Sequence, residues 1–237
     1  MLNDLEILIT KRHLLWVGLF LLLSYGISTL CVSFFGRENK NFSLFFKQTF
    51  FSVQSLLIAV CIPSLFFLSI FLYGYKEYAW FIFIFLGLFF TLALIDYLKL
   101  AVPDILNFAL FFYVFVGLYY FNVLSYENFI SSFALLGAFS LLRMFGGFVF
   151  NKEVMGEADL IVMGSIGALF PFIYGCYIIV TSAFLAMGYI LILGAFYYRN
   201  KTISFSQIKI PFILFLFLGF IVGLFYWQFP IFGVLNV

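Results

Sequence analysis

The stretch Met155-Gly156-Glu157-Ala158-Asp159-Leu160 places a carboxylate directly before an apolar run that contains no charge as far as Tyr198. A second carboxylate, Asp96, ends an earlier apolar run in the sequence Leu94-Ile95-Asp96-Tyr97. Acids at the ends of helices are scarce in so apolar a chain. We therefore expect the remaining sequence to bring Asp96 and Asp159 to one face of a membrane.

The composition indicates that lipid, not water, surrounds most of this protein. Of its 237 residues, 66% are hydrophobic and only 9% are charged, whereas soluble domains carry about 25% charged residues. The apolar runs are continuous and do not alternate with polar residues as barrel strands do. Residues 1–237 are therefore predicted to form a single all-α, polytopic membrane domain. The net charge of +2 is too small to suggest nucleic-acid binding.

The apolar runs predict about eight transmembrane helices, because one span needs about 20 residues. The predicted spans are residues 14–35, 51–73, 78–95, 105–124, 129–150, a short sixth from 160, a seventh to about 196, and 210–227. A single helix over residues 160–198 would be roughly 58 Å long, about twice the hydrocarbon thickness. That run should therefore form a hairpin that turns near Pro171–Gly175.

The basic residues of the loops predict the orientation. One set of loops holds Arg37, Lys40, Lys47, Lys99, Lys152, Arg199, Lys201 and Lys209, and the other holds Lys11, Arg12 and Lys76. By the positive-inside rule the first set is cytoplasmic. Asp96 and Asp159 then both lie at the cytoplasmic boundary of the membrane, although topology alone does not bring them into contact.

Two carboxylates in one site cannot both ionise easily, so one keeps its proton while the other acts as a base. Such a pair can activate water against a peptide bond. Two alternatives stay open at this point. Each acid could be a solvated residue at a helix end, or the pair could serve a proton-coupled transporter. A structural assembly subunit, which would tolerate loss of either acid, is a third reading.

The local sequences around the two acids favour the first interpretation. Ile95-Asp96, then Val102-Pro103-Asp104, and later Gly156-Glu157-Ala158-Asp159-Leu160 resemble the type IV prepilin peptidase family, a group of GxGD intramembrane aspartic proteases. Members of that family carry an Asp at a helix end, a Pro-Asp eight residues later, and Gly-x-Gly-Asp before another helix. The resemblance covers roughly residues 94 to 219.

The resemblance implies that Asp96 and Asp159 are the catalytic pair. It also implies a bacterial inner-membrane endopeptidase that removes the basic leader of type IV prepilins or pseudopilins at the cytoplasmic face. Such substrates serve pili, type II secretion or DNA uptake. The expected partners are these substrate proteins and membrane lipid. No metal or cofactor is expected, and S-adenosylmethionine would be needed only if the protein also methylates its product.

The chain departs from the family pattern in two places. Ala158 stands where the motif has its second glycine, and alanine permits fewer backbone conformations. Longer members insert a cytosolic domain with two C-x-x-C pairs after the first helix. Here that place holds only the short connection 36–50, and the three cysteines form no C-x-x-C pair.

Four further residues are assigned to the surroundings of the site: Asp104, Gly156, Glu157 and Ala158. Asp104 is interpreted as a helix cap that also lines the site. Glu157 could contact a charged substrate segment or be a solvated loop residue. Arg143 lies inside a predicted span and could reach the interface or pair with an acid.

Overall fold

The structure is a computed structural model that describes residues 17–32, 53–151, 155–198 and 210–228. All regular structure in these ranges is helical, which confirms the all-α prediction. The eight helices in the described ranges are α1 (Val17–Val32), α2 (Val53–Tyr73), α3 (Glu77–Lys99), α4 (Asp104–Tyr120), α5 (Tyr126–Phe150), α6 (Glu157–Leu169), α7 (Phe172–Tyr198) and α8 (Phe212–Gln228). The predicted connections 36–50 and 199–209 lie outside the described residues.

Four of these helices are long and apolar enough to cross a membrane, and they contain the spans Ser55–Tyr73, Glu77–Lys99, Tyr126–Val149 and Phe172–Gly194. Three more helices are apolar but too short to meet that length criterion: α1, α4 and α8. Helix α6 has 13 residues, well below the 20 or so that a span needs. The structure thus supports a helical membrane protein with four such spans, and the figure of eight stays a prediction.

The chain divides into two compact units, Met1–Gly87 and Leu88–Val237, with the boundary inside α3. Aromatic rings pack the first unit. The Trp80 ring lies 5.1 Å from the Phe20 ring and 5.1 Å from the Phe66 ring, measured between centroids. These contacts join α1, α2 and the first half of α3. Both acids quoted above belong to the second unit.

Helix α6 is the buried centre of the second unit and contacts α4, α5, α7 and α8. Its residues 159, 160 and 162–168 are all buried. Small residues allow this close packing: a Cβ added to Gly167 would lie 2.7 Å from the Ser131 carbonyl oxygen. The short length of α6 therefore reflects a core position between neighbouring helices.

Two polar side chains of α5 also bind the α6 backbone. Asn128 donates to the Ala168 carbonyl oxygen at 2.8 Å, and Ser132 donates to the Gly164 carbonyl oxygen at 2.7 Å. Hydrogen bonds between membrane helices are worth about 0.6 to 2 kcal/mol each. These bonds fix both the height and the rotation of α6 against α5.

Helices α7 and α8 pack through glycines spaced four residues apart. A Cβ added to Gly223 would lie 2.6 Å from Ile178 Cγ1, and one added to Gly219 would meet Ser182. Such small-xxx-small spacing lets helix backbones approach closely in a membrane. Tyr174 strengthens this contact, because its hydroxyl donates to the Gly223 carbonyl oxygen at 2.7 Å.

The structure confirms the predicted hairpin, because α6 ends at Leu169, Phe170 is extended and α7 starts after Pro171. Two other predictions need correction. Helix α3 continues past Asp96 to Lys99, and α4 ends at Tyr120 instead of residue 124. The apolar runs misplace these ends because hydropathy does not mark where backbone hydrogen bonding stops.

Candidate active site

Asp96 lies in the last turn of α3 and is only 8% exposed. Its Oδ2 accepts a hydrogen bond of 3.0 Å from the backbone N–H of Ile213, in the first turn of α8. The first N–H groups of a helix have no partner within that helix. Asp96 therefore satisfies a group on α8 from 117 residues away in sequence.

Asp159 lies in the first turn of α6, outside the four candidate spans, and is also 8% exposed. Its Oδ2 accepts a 3.1 Å hydrogen bond from the backbone N–H of Gly156, the residue that precedes the helix. A Cβ at position 156 would lie 3.3 Å from that same oxygen. The missing side chain of Gly156 therefore lets the Asp159 carboxylate fold back onto the backbone.

The structure brings Asp96 and Asp159 within electrostatic reach of each other. Burial raises the pKa of the Asp159 carboxyl to about 7, and the negative charge of Asp96 contributes to this rise. The hydrogen bond from Gly156 and the positive charge of Arg143 act in the opposite direction. Burial and the repulsion from Asp96 thus favour the protonated form of Asp159 near neutral pH, which suits a group that takes part in acid–base chemistry.

Arg143 extends from α5 towards the start of α6. Its Nη2 lies 3.0 Å from Glu157 Oε1, and the Glu157 side chain is 79% exposed. Because water screens such a pair, it contributes about 0–1 kcal/mol to stability. Of the two readings kept open for Arg143, the structure supports pairing with an acid.

Asn107 is a site residue that the sequence analysis missed. It is fully buried on α4 and donates from Nδ2 to the Ala158 carbonyl oxygen at 3.1 Å. Its Oδ1 is buried and has no hydrogen-bond partner among the residues that the structure describes. Leaving such an acceptor unsatisfied costs free energy. The sequence could have indicated this residue, because Asn107 is a polar residue inside an apolar helix, one turn after Pro103-Asp104.

The assignment of Asp104 as a helix cap is wrong. Helix α4 begins at Asp104, one residue before the predicted start at 105, so Pro103 occupies the capping position and no side-chain cap bond forms. A capping side chain belongs to the residue before the helix, so Asp104 is one position too late. It is exposed in the first turn of α4, on the same helix as Asn107.

Ala158 fits its position without strain. It lies inside the first turn of α6 and is absent from the described residues that have positive φ. Glycine is required only where the backbone adopts a left-handed conformation or another atom approaches closely. An alanine at position 158 is therefore compatible with the backbone of the described residues 155–159.

Among the described residues, no group of three or more His, Cys, Asp or Glu side chains is arranged to hold a metal ion. Cys31, Cys61 and Cys176 are free thiols. The only histidine, His13, lies outside the described residues. The chemical groups of the site are thus two carboxylates, one guanidinium and one buried amide.

No family model, no curated protein and no solved structure matches this chain.

Proposed function

We propose that this protein is a membrane aspartic endopeptidase that removes basic leader peptides from type IV prepilins or pseudopilins. The observation that carries the proposal is the pair of buried carboxylates, Asp96 and Asp159, that interact electrostatically although they come from distant helices. The motif pattern around both residues, which resembles the prepilin peptidase family, supports the same conclusion.

In the proposed reaction, the ionised carboxylate of Asp96 takes a proton from a water molecule. The resulting hydroxide attacks the scissile carbonyl carbon, while the protonated Asp159 donates to the carbonyl oxygen. The C–N bond of the resulting gem-diol then breaks. The leaving nitrogen receives the proton that Asp96 holds, and one hydroxyl of the gem-diol returns its proton to Asp159 as the new carboxyl group forms. The raised pKa of Asp159 supports its role as the proton donor near neutral pH.

The acids around the site support a basic substrate. Asp104 and Glu157 are both exposed, and the bond between Asn107 and Ala158 joins the helices that carry them. Their charges can attract the lysines and arginines of a leader. We place this site at the cytoplasmic face of a bacterial inner membrane, because the basic loops predict that orientation.

The test is co-expression with a prepilin and separation of precursor from product on a gel. The wild-type protein should shorten the precursor, and Asp96→Asn and Asp159→Asn should each leave it unprocessed. Glu127→Gln is the matched control, since Glu127 is an exposed acid in the first turn of α5, at the other end of that helix from Arg143. Processing by either aspartate variant would exclude the assignment.

A proton-coupled transporter remains the alternative from another class, and purified protein separates the two. A peptidase in detergent cleaves a prepilin without any membrane gradient, whereas a transporter does not. Cleavage that is present in the wild type and absent in both asparagine variants would rule out pure transport.

A further inference from the structure

A second polar feature of this end of the molecule is a cavity of about 290 Å³ between α5 and the first turn of α6. Four residues of α5 line it together with Leu160: Ser140, Arg143, Met144 and Gly147. Their spacing of three to four residues places them on one face of the helix. Because Gly147 has no side chain, the turn after Arg143 leaves room for a ligand.

The charge in this cavity is set by Arg143. Among the described residues of the second unit, Arg143 and Lys99 are the cations, and Lys99 does not line the cavity. A guanidinium is a planar fork of donors that suits carboxylate and phosphate groups. In the structure one of its nitrogens meets the exposed carboxylate of Glu157. Glu157 thus already marks the position of an anion.

The surface beside the cavity is strongly apolar. On the same helix, Leu142 is 59% exposed, Phe145 is 60% exposed and Phe148 is 85% exposed. Only 11% of the apolar window of α5 is buried inside the protein. A ligand that fits here combines an anionic group with a long apolar body.

We propose that this cavity binds the phosphate of an anionic phospholipid. The Arg143 guanidinium and the Ser140 hydroxyl are the donors, and the acyl chains lie along the exposed apolar face of α5. Basic pockets between membrane helices bind anionic headgroups through this combination. The phosphate displaces Glu157, whose high exposure lets it rotate into water.

This binding site does not depend on the proposed peptidase activity, although it adjoins Asp159. It makes opposite predictions for the two members of the ion pair. Arg143→Gln removes the positive charge and the guanidinium fork, so it should weaken lipid binding. Glu157→Gln removes the competing anion and should strengthen it. A general loss of folding cannot produce both results.

The test uses purified, delipidated protein in detergent, mixed with equal amounts of phosphatidylglycerol and phosphatidylcholine. Native mass spectrometry counts the bound lipids. The wild type should prefer phosphatidylglycerol, and Arg143→Gln should reduce that preference about fivefold. Arg143→Lys should keep part of it. Lys99→Gln, an exposed cation outside the cavity, is the matched control and should leave the preference unchanged.

Three outcomes would overturn the proposal. The first is an equal preference in the wild type and Arg143→Gln. The second is weaker phosphatidylglycerol binding by Glu157→Gln than by the wild type. The third is displacement of the lipid by millimolar inorganic phosphate, which would identify a site for small anions. All three outcomes are measured as lipid occupancy and not as cleavage. The lipid site can therefore be disproved without affecting the proposed peptidase activity, and the peptidase activity can be disproved without affecting the lipid site.

Discussion

Asp96 and Asp159 are equally buried, but they bind different parts of the chain. Asp96 reaches across to α8 and holds the N–H of Ile213, whereas Asp159 holds the N–H of Gly156, three residues before it. The first bond is tertiary and the second is local. Asp96 therefore links the site to the packing of α8, while Asp159 makes a local bond at the start of α6.

This difference also separates the two carboxylates chemically. Burial and the charge of Asp96 both raise the pKa of Asp159, while Arg143 lies close enough to oppose them. The local environment of Asp159 thus favours its protonated form. If the two carboxylates act together, the loss of either one should remove most of the proposed catalytic activity.

The largest expected effect is on catalysis. Asp96→Asn and Asp159→Asn should each reduce the cleavage rate at least about a hundredfold, because general acid–base groups contribute at least that much. The double variant should lose little more than either single variant, since residues that act together are not additive. Single-turnover rates with a purified prepilin measure all three.

If the two single losses of cleavage free energy add up in the double variant, the two carboxylates do not share a proton. Glu127→Gln serves as the control for nonspecific effects of removing an acid. A rate near that of the wild type in either single variant would show that the two carboxylates have separate roles.

The next effect is on stability and concerns the two hydrogen bonds. Asparagine keeps an acceptor at each position and alanine removes it. At position 96 the change from Asn to Ala should cost about 1–3 kcal/mol, because the buried N–H of Ile213 loses its partner. At position 159 the same comparison should cost about 0.5–1 kcal/mol, since water can reach the exposed Gly156.

Thermal unfolding in one detergent, at one pH, measures both differences. Using asparagine as the reference removes the effect of the charge, and the same amide side chain is lost at both positions. An equal cost at the two positions would mean that the bond from Asp96 to α8 contributes no more to the fold than a local cap.

The same contrast explains what the sequence could predict. The bond between Asp159 and the Gly156 N–H is of a kind that a sequence can predict. The two residues are three apart, and local spacing determines capping geometry. The bond between Asp96 and Ile213 could not be predicted, because it depends on how α3 and α8 pack. The apolar runs predicted helices, and the hairpin at Pro171 was correct, because proline marks a break directly.

Three other features were not predicted from the sequence. The apolar pattern of α6 resembles that of a span, yet its neighbours bury it as a core helix. Asp104 was assigned the capping role because Asp is a frequent cap, but the helix starts one residue earlier than that role needs. Asn107 was overlooked because a single polar residue in an apolar run does not reveal its partner.

A smaller effect should come from Asn107, which supports the Asp159 loop alone. Asn107→Leu removes the donor to the Ala158 carbonyl oxygen and should reduce stability by about 1 kcal/mol. The difference in stability between Asn and Ala at position 96 should stay the same in this background, because Asn107 has no bond to α8. The measurement is thermal unfolding of the double variants.

Asn128→Leu is the control, because Asn128 donates to the other end of α6, at Ala168, and its Oδ1 also accepts from the Ser125 N–H and hydroxyl. It should cost more stability than Asn107→Leu but leave the cleavage rate closer to that of the wild type. Equal losses of activity in both variants would show that the two bonds act through α6 as a whole.

The smallest expected effect is a shift in the pH profile of cleavage. The active form carries one proton, and Asp159 loses it near pH 7, so the rate should fall as the pH rises through that value. Arg143 lowers the pKa of Asp159, so Arg143→Gln should move this alkaline limb to higher pH. The shift should be less than about one pH unit, because a partly exposed charge contributes about 1 kcal/mol or less and one pKa unit is about 1.4 kcal/mol. Cleavage rates of both proteins across neutral pH measure the shift. A limb that stays in place would show that the group that loses the proton is not the one that Arg143 acts on.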